Sequence, residues 1–355
     1  STFVDCMKAL KEDARLALEG LPWEYGDAAE MQRLSAKYAG ADQGKVIRVF
    51  GANFIGRMSG KVVEAFVAKA DLLAASPAYS DQSGVDWKTA AASAAKVLNH
   101  IGGVDGMDPT GWTWYCNVDD IEKLSPTESP AEILWRGERA KSLSLEEDNF
   151  PPTLYGNGRI NPTQNLVDAF PMLNGYPVSH LSGEYDENLP YANRDPRLEA
   201  YILYNGCKAG NTNKEIFTAA DGTTNDALNK VVGRSTRTGY YLRKLLRQDI
   251  SLDPNAKADQ YHYTPRIRYT EIFLAYAEAA NQAYGPQDKG GNGYSAYDVV
   301  KKLRHRAGIG RDNGDAYLES IKNDQAKMAE LIRNERRIEL CFEGFRFWDL
   351  RRWKS

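Results

Sequence analysis

The sequence has few residues that would cross-link the chain or bind a metal ion. Its four cysteines lie far apart without a CxxC pair, and its four histidines form neither an HxH nor an HExxH motif. These spacings argue against a zinc site and against a dense disulfide framework. We therefore expect no metal and no cofactor. The cysteines are Cys6, Cys116, Cys207 and Cys341.

The chain also lacks an excess of one charge and a long apolar run. Lys and Arg together number 45 and Asp and Glu number 48, so the net charge of −3 gives no broad positive field for binding nucleic acid. No apolar stretch reaches the roughly 18 residues of a membrane-spanning helix. GxGxxG and GxSxG are absent, so the sequence offers no motif for a dinucleotide cofactor or a serine hydrolase.

Apolar residues recur every three or four positions near both ends of the chain, as in amphipathic helices. The spacing predicts one helix that ends at Ser76, before a proline, and another that ends at Gly102. The same apolar spacing returns between Tyr269 and Ala307. Two such helix pairs favour a tetratricopeptide-like repeat, although any all-α protein shows helix pairs. The first apolar stripe contains Phe54, Met58, Val62, Phe66, Ala70 and Leu73.

These patterns divide the chain into three parts that we expect to form one integrated unit. Residues 1–102 and 265–355 are predicted helical-repeat portions. Residues 103–264 form a loop-rich insertion with a few short strands, because Asn-Gly and Asp-Gly turn dipeptides recur there. Long loops of this kind are often functional, so the insertion is the candidate ligand-binding lobe.

The chain is rich in aromatic residues, with 7 Trp, 20 Tyr and 11 Phe. Such rings either fill a core or form a surface on which flat ligands stack. We expect core positions for rings on helical stripes and in the C-terminal segment, namely Tyr269, Tyr276, Tyr297, Phe342, Phe345, Phe347 and Trp348.

The aromatic residues of the insertion are candidates for sugar binding. Sugars stack their C–H faces on rings, while amide and guanidinium groups bind the hydroxyls. A short extended run is expected to alternate its rings between two faces. The alternative is a hydrophobic cluster beneath a long loop. The candidates are Trp112, Trp114, Tyr115, Tyr155, Asn157 and Arg159.

Two glutamates near the C-terminus, Glu335 and Glu339, lie one helical turn apart. One interpretation is the acid and nucleophile pair of a retaining glycosidase, whose carboxyl groups lie about 5–5.5 Å apart. The other is an ion-pair network, since nearby guanidinium groups would lower the pKa that a general acid needs raised. The nearby arginines are Arg333, Arg336, Arg337, Arg346, Arg351 and Arg352.

Several segments together resemble the SusD/RagB family of nutrient-binding outer-membrane lipoproteins. They occur in family order, and the most specific are NRDPR, which begins at residue 193, and RNERRIELCFEGFRFWDLRRW at 333–353. The others are NPTQNLVDAFPMLNGYPV at 161–178, TGYYLRKLL at 238–246, RYTEIFLAYAEAAN at 268–281 and the alanine-rich helix at 56–80.

The resemblance implies a mainly α fold, an α/α superhelix of tetratricopeptide-like helix pairs packed with a loop-rich lobe containing a few short strands. It also implies a non-catalytic protein that captures glycans, or peptides in some members, on the extracellular face of the outer membrane. A SusC-like TonB-dependent transporter would receive the ligand. Within this resemblance some charged residues are expected to be structural, namely Arg194, Asp195, Arg197, Glu335, Arg336, Arg337, Glu339 and Glu343.

Family members begin with a signal peptide and a lipid-bearing cysteine and extend further at both ends. We therefore expect this chain to be shortened at both ends, with a lipid anchor that it does not include. Cys6 follows no apolar leader, so the lipid is not assigned to it. Two other classes remain open: a glycoside hydrolase that uses Glu335 and Glu339, and an intracellular helical-repeat scaffold.

Overall fold

The structure is a computed structural model that describes residues 2–38 and 42–355, and the α-helices and short 3₁₀ helices in these ranges together make up 46% of the chain. No helix in these ranges is both long enough and apolar enough to cross a bilayer. The helices are α1 (Phe3–Gly20), α2 (Ala28–Lys37), α3 (Gln43–Phe50), α4 (Gly60–Ala75), α5 (Ser80–Ser83), α6 (Trp87–Asn99), α7 (Val118–Ile121), α8 (Ser144–Asn149), α9 (Gln164–Val167), α10 (Pro196–Tyr201), α11 (Tyr269–Tyr284), α12 (Ala296–Arg306), α13 (Ala316–Ile321), α14 (Gln325–Glu339) and α15 (Phe345–Trp353).

The strands are short and form antiparallel pairs, β1 with β8, β2 with β7, β3 with β6 and β4 with β5. Two of these ribbons join segments that are more than a hundred residues apart in the chain. The predicted mainly α fold with a few short strands is confirmed. The strands are β1 (Ile133–Arg136), β2 (Ala140–Ser142), β3 (Ile202–Leu203), β4 (Cys207–Ala209), β5 (Lys214–Ile216), β6 (Tyr241–Leu242), β7 (Gln260–His262) and β8 (Pro265–Arg268).

The main core forms where α4, α6 and α11 pack together, with α12 and α14 against α11. Alanines line the contacts, including Ala91 and Ala94 of α6 and Ala277 of α11, and their small side chains let the helices approach closely. This core combines side chains from residues 1–102 and 265–355. The boundaries proposed from the sequence remain a prediction.

The stripe proposed for the first long helix is partly wrong. α4 begins at Gly60, so Phe54 and Met58 precede it, and Phe66 and Leu73 are exposed. The buried face is shifted around the helix and is lined by smaller residues, because α6 and α11 approach it closely. Its buried apolar side chains are Val62, Val63, Ala65, Ala68, Leu72, Ala74 and Ala75.

Two of the C-terminal rings expected in the core lie on the surface. Phe347 is 52% exposed and Trp348 is 64% exposed. α15 buries Asp349, Arg352 and Trp353 instead, so its polar side faces inward. The inward face is polar because Arg352 and Trp353 both bond the buried Glu278 of α11.

A network of buried ion pairs centres on α14. Arg197 of α10 donates to Glu335 at 2.7 Å and to Glu339 at 3.1 Å. From α12, Arg304 pairs with Glu335 at 2.8 Å and Arg306 pairs with Glu339 at 3.3 Å. Both glutamates are fully buried. A buried charge without a partner is very unfavourable, so these contacts fix α10 and α12 against α14.

The network continues into the loop that follows α14. Glu343 accepts from Arg268 at 2.8 Å and from Lys244 at 2.6 Å. Arg268 also pairs with Glu132, which lies just before β1. The start of α11, the end of α14 and the loop-rich lobe are thereby joined through charged groups.

The arginines nearest in sequence are not the ones that neutralise the two glutamates. Arg336 pairs instead with Asp349, and Arg337 donates to the Asn165 side chain at 2.5 Å. On a helix, neighbouring residues point away from one another, so the partners of Glu335 and Glu339 come from other elements.

The NRDPR segment is fixed in the same way. Asp195 pairs with Arg197 at 2.7 Å and also accepts from the Arg197 backbone N–H at the start of α10. Arg194 makes no ion pair with the described residues and donates to the backbone carbonyls of Val167 and Phe170. The segment therefore joins two loops to α14.

Glu339→Gln should unfold at much lower denaturant concentration, because three guanidinium groups would lose a buried partner. We expect the free energy of unfolding to fall by about 3–5 kcal/mol, measured by urea denaturation followed by circular dichroism. Glu12→Gln is the control, since Glu12 pairs with Arg15 on an exposed helix face, and it should cost less than about 1 kcal/mol. Equal losses in the two variants would contradict the network's role.

The Glu339 carboxyl group should also make the free energy of unfolding depend on pH. Burial alone would raise the pKa of Glu339. The charges of Arg306, Arg197 and Arg268 outweigh this effect and lower the pKa to about 2, from an ordinary value of 4.5. The stabilisation is therefore complete above the unfolded-state pKa and is lost as the pH falls from about 4.5 towards 2. Urea titrations between pH 6 and about 2.5 should show this slope, and Glu339→Gln should flatten it. An unchanged slope in the variant would contradict the assignment.

Candidate functional site

A cavity of about 590 Å³, here called the main cavity, opens between the loop-rich lobe and the helical core. Its walls come from β2, α8 and the β7–β8 segment, and its inner end is formed by α11 and the loop after α14. Its size lies in the range of small-molecule sites.

The inner end of the main cavity is fixed by the buried network. Arg268 and Glu343 both line it while they pair with each other. Glu271 of α11 also lines it and pairs with Lys69 of α4 at 2.7 Å. These charges are already neutralised, so they provide a rigid polar floor without a free charge.

Aromatic rings form part of the wall. Tyr263, between β7 and β8, is buried, and its hydroxyl accepts from Arg139 at 3.3 Å. Phe345 begins α15 and is half-buried, with Lys69 at 5.8 Å from its ring centre. Of these two rings, only the half-buried Phe345 has a face that a ligand can stack on, while Tyr263 belongs to the buried cluster that supports the wall.

Polar groups at the mouth are available for hydrogen bonds. Glu138 and Thr264 line the cavity and are exposed. His262 lines it too, and its Nε2 lies 3.0 Å from the buried Glu146 carboxylate. A carboxylate and a hydroxyl are typical partners of sugar hydroxyls, whereas both ring nitrogens of His262 already have partners, Glu146 and the Gln260 carbonyl. Within the described residues, no cluster of three His, Cys, Asp or Glu side chains is arranged to hold a metal ion.

The structure corrects two of the candidate stacking residues. Trp114 is 4% exposed and Tyr115 is buried beside it, in a core cluster that also contains Phe170 and Tyr201. The expected extended run is instead a 3₁₀ turn, Gly111–Thr113, that directs both rings inward. They form part of the cavity's inner wall, but no ring face is free for stacking.

Trp112 is also placed differently from the expectation. It is half-buried against the same cluster, its carbonyl accepts from the Tyr201 hydroxyl at 2.9 Å, and it does not line the main cavity. We therefore do not include it among the cavity residues.

The loop with the other three candidates lies at the rim. Tyr155 is 53% exposed, and the Asn157 backbone donates to Glu147 of α8 at 2.9 Å. Arg159 pairs with Asp148, a residue of α8 that lines the cavity, at 3.2 Å. The loop therefore borders the cavity through α8. Its role in binding remains a prediction.

Sequence reasoning missed most of the cavity wall. Glu138, His262, Tyr263, Thr264 and Phe345 come from three distant segments. The first two segments meet because β2 pairs with β7 and β1 pairs with β8, and Phe345 enters from the start of α15. Strands this short carry almost no periodic signal. In the sequence, the consecutive Tyr261, His262 and Tyr263 were the one feature that could have pointed to this part of the cavity wall.

The geometry does not suit Glu335 and Glu339 for glycoside hydrolysis. Neither carboxyl group is accessible to solvent, and neither lines the main cavity. A general acid at neutral pH needs a raised pKa, whereas that of Glu339 is about 2. These two residues serve as ion-pair partners.

The comparison with known families agrees with the sequence motifs. The model of the SusD family matches residues 135–355, which is more than half of the chain. The chain belongs to the SusD family. The resemblance found in the sequence is confirmed.

Solved structures of SusD-like proteins share the fold. A SusD-like carbohydrate-binding protein from Bacteroides fragilis matches 92% of this chain with a TM-score of 0.62 and 22% identity. A second SusD-like protein from that organism matches 99% with a TM-score of 0.65 and 24% identity. This chain covers 57% and 60% of those two chains, so it spans less than two thirds of their length.

A curated SusD-like relative matches a shorter part. SusD-like protein P38 from Formosa agariphila is 33% identical over 85 residues, which is 24% of this chain and 16% of that protein. The matching part is small, so it supports family membership and carries no detail of a ligand.

Trp114→Ala should test the reassignment of Trp114 to the core. Removing a fully packed ring is expected to lower the free energy of unfolding by about 3–5 kcal/mol. Tyr155→Ala should change it by less than about 0.5 kcal/mol, because that ring is largely exposed. Urea denaturation of the two variants measures both values. A small loss for Trp114→Ala would contradict its placement.

Proposed function

We propose that this SusD-family protein captures a glycan at the cell surface and does not transform it. The observation that carries the proposal is the main cavity, which combines aromatic walls with hydrogen-bonding groups in a fold shared with a carbohydrate-binding protein. The glycan would lie between the α8 rim and Phe345, with Tyr263 in the wall.

The charges of the main cavity favour an uncharged ligand. Arg268, Glu271 and Glu343 are held in ion pairs, and His262 faces the Glu146 carboxylate. Glu138 and Arg266 line the cavity without an ion pair among the described residues, and their opposite charges leave no net charge between them. A neutral sugar is bound through ring faces and hydroxyl hydrogen bonds rather than through a field, so these neutralised groups suit it. The proposed absence of catalysis is supported by the carboxylates that line the cavity. Asp148, Glu271 and Glu343 are ion-paired, so Glu138 alone among the described lining carboxylates lacks an ion pair, whereas glycoside hydrolysis ordinarily uses two carboxyl groups.

The wider setting of this function rests on the family resemblance. We include in the proposal a position on the extracellular face of the outer membrane through a lipid anchor. The proposal also includes delivery of the glycan to a SusC-like TonB-dependent transporter. Nothing in the net charge of −3 favours nucleic acid as a ligand.

Binding should be measured by affinity electrophoresis with starch, xylan, laminarin, galactan and mannan, followed by calorimetry with oligosaccharides of the polymer that retards the protein. We expect at least one polymer to retard it without being shortened. Phe345→Ala and Thr264→Val should weaken binding about tenfold, since each removes a contact worth roughly 1 kcal/mol or more.

Phe217→Ala is the control for the ring deletion, because Phe217 is partly exposed and does not line the main cavity. It should bind as the unmodified protein does. Retardation that is unchanged in Phe345→Ala and Thr264→Val would overturn the assignment of the cavity. Binding of a peptide library with no retardation by any polymer would replace the glycan with the peptide alternative. Release of shortened sugars would favour a hydrolase.

A further inference from the structure

A second cavity, of about 390 Å³, lies beside β1 on the side of the first helices. The segment before α4, the loop before β1, and β1 itself form its walls. Tyr25, Trp135 and Tyr269 line it, and all three rings are half-buried. The glycan-binding function proposed above involves the main cavity and not this second one.

Two of the rings are held in place by their polar ends. The Tyr25 hydroxyl donates to the Met58 carbonyl at 3.1 Å, and the Trp135 indole N–H donates to the Gly56 carbonyl at 2.8 Å. Both acceptors belong to the segment just before α4. Fixed rings of this kind provide a preorganised surface for a flat apolar face.

Two hydroxyl groups in this cavity have no partner. Ser59 is 3% exposed, and its Oγ makes no hydrogen bond with the described residues. It occupies the N-cap of α4, where serine usually accepts from the first turn, yet its side chain does not cap the helix. A buried hydroxyl that makes no hydrogen bond within the chain is unfavourable, so the Ser59 hydroxyl is available to a polar group that enters the cavity.

The second unpartnered hydroxyl is that of Tyr269, the first residue of α11. Among the described residues, none forms a hydrogen bond with its Oη. Burial raises the pKa of Tyr269, so the hydroxyl keeps its proton and is able to donate. Ser59 and Tyr269 together offer two sites for the hydroxyls of a ligand.

The charged groups around the second cavity are mostly engaged in contacts within the chain. Glu24 and Lys61 pair with each other. The Arg136 guanidinium donates to Ser129 Oγ and to three backbone carbonyls of the surrounding loop. Arg57 is exposed at the edge, over the ring of Phe54. Ring faces and free hydroxyls without a dominant charge are the chemistry that recognises a neutral sugar unit.

The two cavities are lined by the two paired strands of one ribbon, the main cavity by β8 and the second cavity by β1. Arg266 of β8 lines the main cavity, and its guanidinium carbon stands 4.6 Å from the ring centre of Trp135, which lines the second cavity. We infer that the second cavity is a separate saccharide subsite, which holds a distal part of the same glycan chain that occupies the main cavity. This inference rests on the proposed function.

A glycan that reaches both cavities would bind more tightly than a short one, because the second contact is intramolecular once the first has formed. Oligosaccharides that fill only the main cavity would not gain this advantage. The affinity difference between polymer and short oligomer is therefore the quantity that the second cavity controls.

The test uses Ser59→Ala and Tyr269→Phe, each of which removes only a hydroxyl that has no partner in the protein. Neither variant should lower the melting temperature. Each should weaken binding of the polymer that retards the protein by about 3- to 10-fold, while the affinity for its trisaccharide stays unchanged. Tyr204→Phe is the matched control, since Tyr204 also lacks a hydroxyl partner among the described residues and lies outside both cavities.

The outcomes separate the two proposals. If no polymer retards the unmodified protein, the proposed function fails and this inference fails with it. If the polymer binds but both variants hold it as tightly as the control does, only the second subsite is overturned. If polymer and trisaccharide weaken equally, the second cavity is not a separate subsite. Loss confined to the polymer supports the inference.

Discussion

The buried carboxylates of α14 are the constraint on which the rest of the structure depends. Glu335 and Glu339 lie in an interior where an unpaired charge is very costly, and each is neutralised by guanidinium groups from α10 and α12. Glu343, after α14, extends the same pairing to Arg268 and Lys244. Satisfying these charges sets how the helical core and the loop-rich lobe meet.

The main cavity lies where those two parts meet, and its character follows from the same pairing. Arg268 and Glu343 form its inner end but present no free charge, because each already has a partner. The proposed recognition groups are the half-buried ring of Phe345 and the exposed Thr264, which both line the cavity. A polar but neutralised floor beneath aromatic walls suits an uncharged sugar, which joins the ion-pair network to the proposed function.

The long helices and the family were predictable, but the cavity was not. Strong 3.6-residue periodicity identified α6 and α11, whereas the stripe on α4 was placed on the wrong face, since small alanines rather than Phe66 meet the neighbouring helices. Residue type suggested Trp114 as a ligand ring, but a 3₁₀ turn buries it. Cavity residues come from distant segments joined by very short strands, and neither propensity nor spacing encodes such pairings.

A crystal structure of the protein with a bound oligosaccharide of the polymer that retards it would test the central claim most directly. The account predicts sugar rings in the main cavity, against Phe345, with hydroxyls near Thr264 and Glu138 and with the α14 ion pairs unchanged. Sugar ordered instead on the exposed Phe347 and Trp348, with the main cavity empty, would contradict it.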